Sequence, residues 1–147
     1  MRDSITFLNQ PFEEVQNLLK SSRDYIKWQA PLDIQETDPT KTAQITHEAL
    51  RIVMRLSQIT AWLTLQKAIQ QRDLSFEESL SKQYHVLRGK ACLDRGSELD
   101  PDLPPRLRDL LRTSRLLYER ILRLNELSHR HAPSARTIKK EKTIRAV

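Results

Sequence analysis

Four histidines, one cysteine and two adjacent pairs of glutamates are the groups in this 147-residue chain best suited to bond chemistry. A helical zinc site needs two histidines one turn apart on the same face. No predicted helix carries such a pair: His47 and His85 fall in different elements, and His129 and His131 lie in or beside a basic C-terminal block. All four are read as solvated or helix-end residues. Cys92 is the single cysteine, which rules out an intramolecular disulfide and leaves a structural zinc site short of thiolates. Its surroundings offer no particular base or helix N-terminus, so an unactivated thiol is expected. The pairs Glu13/Glu14 and Glu77/Glu78 sit at predicted helix starts, where the helix dipole favours negative charge. No glycine-rich phosphate loop or nucleophile elbow is present. The reading is a protein that is not an enzyme, with no catalytic residues, metal or cofactor.

The elements that must position these residues are helical. Hydrophobic residues make up 38% of the chain and charged residues 30%, a globular balance, while two glycines and few aromatics leave little material for sheets. One domain fits the length. No long apolar run supports a leader or a membrane span, and cysteine usage suggests a reducing compartment, so a cytoplasmic location is expected.

A first helix is predicted from Pro11, a residue suited to the first helical turn, to about Trp28. The stretch "QAPLDIQETDPTK" reads as a connection. Asp38-Pro39 is a strong start signal for a long second helix reaching about Arg72. Its main stripe is Ile45, Ala49, Ile52, Leu56, Ile59 and Leu63, flanked by Val53, and a second stripe comprises Leu50, Met54, Ala61, Leu65 and Ala68. Ser75 followed by Glu78 is a capping box for a short helix burying Phe76, Leu80, Tyr84 and Leu87. "RGKACLDRGSELDPDLPP" reads as a long loop. A last helix begins near Pro104 or Pro105 and fades around Ser128, with an apolar side including Leu107, Leu111, Ser114, Tyr118 and Ile121. The architecture expected is an all-α three-helix bundle over residues 11–128, with a short additional helix, an N-terminal arm at 1–10 and a flexible basic tail at 129–147.

That tail holds six basic residues against Glu141, so +5 of the chain's net +6 lies there. Such a segment buries too little to offset its ordering entropy and is expected to be disordered. Arg136, Lys139, Lys140, Lys142 and Arg145 form a candidate docking set for a partner or, less expectedly, for nucleic acid. A DNA-reading helix-turn-helix at residues 60–88 is disfavoured, because Glu77 and Glu78 would face phosphates.

On the second helix Arg51, Arg55, Gln58, Trp62 and Gln66 share one arc, roughly opposite the stripe that contains Leu56 and Leu63. Two readings stand: a neighbouring element covers Trp62, or the arc is an exposed protein interface, since Trp and Arg dominate binding hot spots.

The blocks "EALRIVMRLSQITAWLTLQKAIQQRDLSFEES" and "LPPRLRDLLRTSRLLYERILRLNEL" resemble the central helix with its following turn, and the last helix, of the regulator of CtrA degradation (RcdA) family of alphaproteobacteria. The resemblance implies a three-helix bundle, commonly a homodimer, that acts without catalysis as an adaptor for the ClpXP protease. It also implies partners: ClpX, cell-cycle cargo, the priming response regulator CpdR, and further adaptors such as PopA. An adaptor works by raising local concentration, so two separate binding surfaces are needed. The alternative is a small helical protein that binds nucleic acid through its tail.

Overall fold

The computed structural model describes residues 2–35, 37–88 and 90–131. Of the expected flexible tail at 129–147, residues 129–131 are helical, and the rest, with the docking set Arg136, Lys139, Lys140, Lys142 and Arg145, lies outside the described residues. Among the described residues there is no strand, and the all-α bundle expected from composition is the fold observed.

The first helix, α1, spans Arg2–Asp24 with Pro11 inside it, so it does not begin at Pro11. An interior proline removes one ladder bond and costs about 3 kcal/mol. Burial of Leu8 and Pro11 on the core side of the helix offsets part of that cost. A wide π turn follows at Tyr25–Gln29, and then α2 at Ala30–Ile34. This segment is therefore helical, not the connection expected. Pro31 explains the wide turn: it has no N–H, and its ring would crowd the carbonyl four residues back. Ala30 N–H accordingly reaches back five residues to the Tyr25 carbonyl.

Helix α3, Pro39–Gln70, starts where expected, with the Asp38 carboxylate accepting Lys41 N–H at 2.8 Å. It stops in a Schellman turn in which Asp73 N–H bonds Ala68 O at 2.9 Å and Arg72 N–H bonds Ile69 O at 3.2 Å. Arg72 takes the left-handed position there, at φ 61°. Ser75 caps the next helix as well, its Oγ accepting Glu78 N–H at 3.1 Å. Helix α4, however, is a single turn, Phe76–Ser79. Ser79 and Ser81 hydroxyls take the carbonyls of Phe76 and Glu78, competing with further helix, and Phe76, Tyr84 and Leu87 are only half-buried while Leu80 is exposed. The last helix, α5, runs Pro105–His131, a turn past Ser128.

Ile45, Ile52, Leu56, Ile59 and Leu63 of α3 pack with Leu107, Leu111, Leu117 and Ile121 of α5 and with Leu8, Val15 and Tyr25 of α1. Leu50 and Met54 of the second stripe and Val53 beside the main one stay outside, at 60, 50 and 40% exposure, so among the described residues nothing covers this strip.

Helices α3 and α5 are parallel. Arg55 meets Ser114, Gln58 meets Tyr118 and Trp62 meets Asn125, the numbers rising together. Helix α1 is antiparallel to both, with Phe12 beside Lys67 and Glu14 paired with Arg120. A parallel pair needs a connection that returns the length of the bundle. Residues 71–104 make it, and their path decides the fate of the polar arc.

Candidate functional site: a polar rail on α3 and the cleft at its end

The arc Arg51, Arg55, Gln58, Trp62 and Gln66 faces inward. Trp62 is 2% exposed and Arg55 is fully buried, so the exposed-interface reading of these residues is corrected. The physical reason is the returning strap. Its short turns satisfy only part of its own backbone donors and acceptors, and polar side chains of α3 meet others, among them Arg88 N–H and the Cys92 and Asp94 carbonyls.

Contacts descend α3 as the strap ascends in number. Gln58 Oε1 accepts Arg88 N–H at 3.0 Å and the Tyr118 hydroxyl at 2.6 Å. Arg55 donates to the carbonyls of Cys92 at 2.8 Å, Asp94 at 3.0 Å and Leu111 at 2.8 Å, and to Ser114 Oγ at 3.2 Å. Arg51 bridges the buried Glu48 and the strap's Asp94, at 3.2 and 2.8 Å. Gln44 donates to Asp100 at 3.0 Å. From the α5 side, Arg115 grips Glu98 through two nitrogens and Glu119 through a third. The strap lies in the α3–α5 groove, tied on both flanks by side chains.

The electrostatics follow from this packing. Burial pulls the Arg55 guanidinium below its ordinary value, with Arg51 adding to the effect, yet it stays cationic because that value is so high. Carbonyl dipoles solvate the charge in place of a carboxylate. The Gly96 N–H and then Arg51 hold Asp94 below the usual carboxylate range, and the Asp102 N–H and Gln44 do the same for Asp100. The bond to Glu98 raises Arg115. Burial, followed by the neighbouring Cys92, pushes the Tyr118 phenol up. Cys92 itself, a residue of the strap, is fully buried.

Where the strap leaves the rail, Trp62 and Gln66 line an open cleft of about 450 Å³ near the C-terminal ends of α3 and α5. Trp62 Nε1 donates to Asn125 Oδ1 at 3.0 Å, which fixes the indole as the cleft's base. Phe76 and His129 meet edge-on, ring centroids 5.9 Å apart. The two cleft histidines each hold a backbone carbonyl through one ring nitrogen: His85 Nε2 lies 3.0 Å from Leu80 O, and His129 Nδ1 lies 2.8 Å from Asn125 O. Leu87, Glu126 and Arg130 complete an apolar floor with a polar rim. Among the described residues no group of three or more His, Cys, Asp or Glu side chains is placed to hold a metal ion. His47 lies on α3, 3.5 Å from Arg51, far in the chain from the cleft histidines.

Sequence reasoning missed Asp94, Glu98 and Asp100, the acids through which the strap is held. A usable signal existed: structureless connections longer than about 12–15 residues are uncommon inside a domain, so a long polar segment needs partners.

This geometry defines a class: a helical bundle with a parallel helix pair bridged by a hydrogen-bonded strap, in which no helix among the described residues is long and apolar enough to cross a membrane. The chain belongs to the DUF1465 family, described as "protein of unknown function", whose family model matches residues 3–146. No curated protein and no solved structure matches it significantly.

Proposed function

We propose that this protein is a non-catalytic adaptor in regulated proteolysis, related to the RcdA proteins that help deliver cell-cycle regulators to ClpXP in the cytoplasm. The observation that carries the reading is uncovered apolar surface on rigid helices. Leu50, Val53 and Met54 form a three-residue strip on α3, and Trp28 and Leu32, one helical turn apart, stand 67 and 63% exposed. Surface of this kind supports contact with other proteins. The resemblance of the α3 and α5 sequences to RcdA supplies the partners: ClpX, a priming response regulator such as CpdR, and cargo. The α3 strip is the surface on which a homodimer is expected to form.

A reconstituted degradation assay tests the reading. Adding the full chain to ClpXP, the primed response regulator and a candidate cell-cycle cargo is expected to accelerate cargo loss without chemical change to the adaptor. Leu50→Asp with Met54→Asp is expected to lower dimer content in sedimentation while helicity is retained. No association with ClpX or its priming factor under any of these conditions overturns the reading.

A further inference from the structure

On the face of the bundle away from the strap, α1 and α5 leave a groove of about 440 Å³ bordered by Glu14, Leu18, Ser21, Leu116, Leu117 and Arg120. Arg112, Leu116, Arg120, Arg123 and Leu127 follow one another at three- or four-residue spacing, so they form one stripe along the α5 edge of the groove. Leu116 and Leu127 are 45 and 47% exposed, and their separation of 11 positions spans three turns, roughly 16 Å. The antiparallel register that pairs Glu14 with Arg120 brings Phe7, 52% exposed, level with Leu127. Apolar side chains thus stand open along the groove.

The charged residues of this stripe are all basic. Arg112 and Arg123 are exposed and form no ion pair among the described residues, Arg120 is matched by Glu14, and Asp109 stands one turn before the stripe begins. We infer that this groove is a docking site for an acidic amphipathic helix of another protein, its leucine-type side chains seated between α1 and α5 and its carboxylates meeting Arg112 and Arg123. Such a helix adds a fourth member to the bundle, the usual way an amphipathic helix uses an apolar groove. A second copy of this chain fits less well. The strip it would offer, Leu50, Val53 and Met54, is flanked by Thr46, His47 and Ser57, none of which carries negative charge to set against the arginines. The inference deepens the adaptor reading, but its test uses no protease component, so either can fail alone.

The probe is a synthetic peptide of about four helical turns, with leucines on one face and glutamates elsewhere, titrated against the full chain by fluorescence anisotropy. A counterpart with lysine for every glutamate is the control. The acidic peptide is expected to bind about tenfold or more tightly than the basic one, with affinity falling as salt rises. Backbone NMR shifts should concentrate at residues 14–21 and 113–127. Arg112→Glu with Arg123→Glu, and separately Leu116→Asp, alter exposed side chains, so melting should be retained while affinity drops about tenfold. Equal affinity for the two peptides, shifts centred on the Trp62–Phe76 cleft, unchanged affinity in both variants, or a dimer that buries Leu116 in this groove would each overturn the inference.

Discussion

The three long helices and the strap that bridges two of them are held by different chemistry. Helices α1, α3 and α5 meet through Leu8, Val15, Leu56, Ile59, Leu63, Leu107, Leu111 and Ile121, where burial is non-directional and scales with area. The strap meets α3 and α5 through Gln44, Arg51, Arg55, Gln58 and Arg115, where each contact is directional and depends on one or two donors. The first kind of region tolerates small changes of shape. The second concentrates its stability in a few side chains, Arg55 above all.

The largest expected effect breaks this contrast at its centre. Arg55→Ala removes the donor that holds the strap carbonyls of Cys92 and Asp94, a loss of about 3–5 kcal/mol at about 1–3 kcal/mol per orphaned carbonyl. Urea denaturation should show it. Leu63→Ala, in the apolar region, is expected to cost about 2–5 kcal/mol and to destabilise all three helices together. Trp62→Phe removes the bond to Asn125 and should cost about 1–2 kcal/mol. In a Trp28→Phe background, Trp62 should emit at short wavelength and resist iodide quenching, as a buried indole does.

Acid sharpens the comparison further. Asp94 and Asp100 have folded-state pKa values below their unfolded ones, so the stability they contribute is present above the unfolded carboxylate range and is lost as pH falls through the lowered values. Strap amides should therefore lose protection at acid pH before amides in the middle of α3, as hydrogen exchange across a pH series would report. The smallest effect lies at the strap's start. Arg72→Gly relieves a left-handed residue at the α3 terminus and should stabilise by about 1 kcal/mol, read as a rise in Tm.

The same contrast explains what could be read from the sequence. Asp38-Pro39, the Ser75 cap and the stripes of α3 and α5 were legible because local signals and the helical period coincide there. Pro11 and Pro31 misled, since each resembles a boundary locally while tertiary burial carries the helix through it. Trp62 and Arg55 left two readings open for a deeper reason. A polar arc opposite an apolar stripe looks the same whether water or an irregular strap covers it, and a strap has no period to announce itself. The parallel order of α3 and α5, which requires the strap, is a property of the whole fold and leaves no mark on either helix alone. The groove between α1 and α5 is hidden likewise, although its arginines were visible as a solvated face.

Hydrogen exchange on the wild-type chain and on Arg55→Ala tests the rail most directly. If Arg55 pins the strap, amides of residues 85–100 should lose the most protection, ahead of those in the middle of α1, α3 and α5. A uniform loss along the whole chain, or unchanged protection in the strap, would contradict the claim that α3 holds the strap through this side chain.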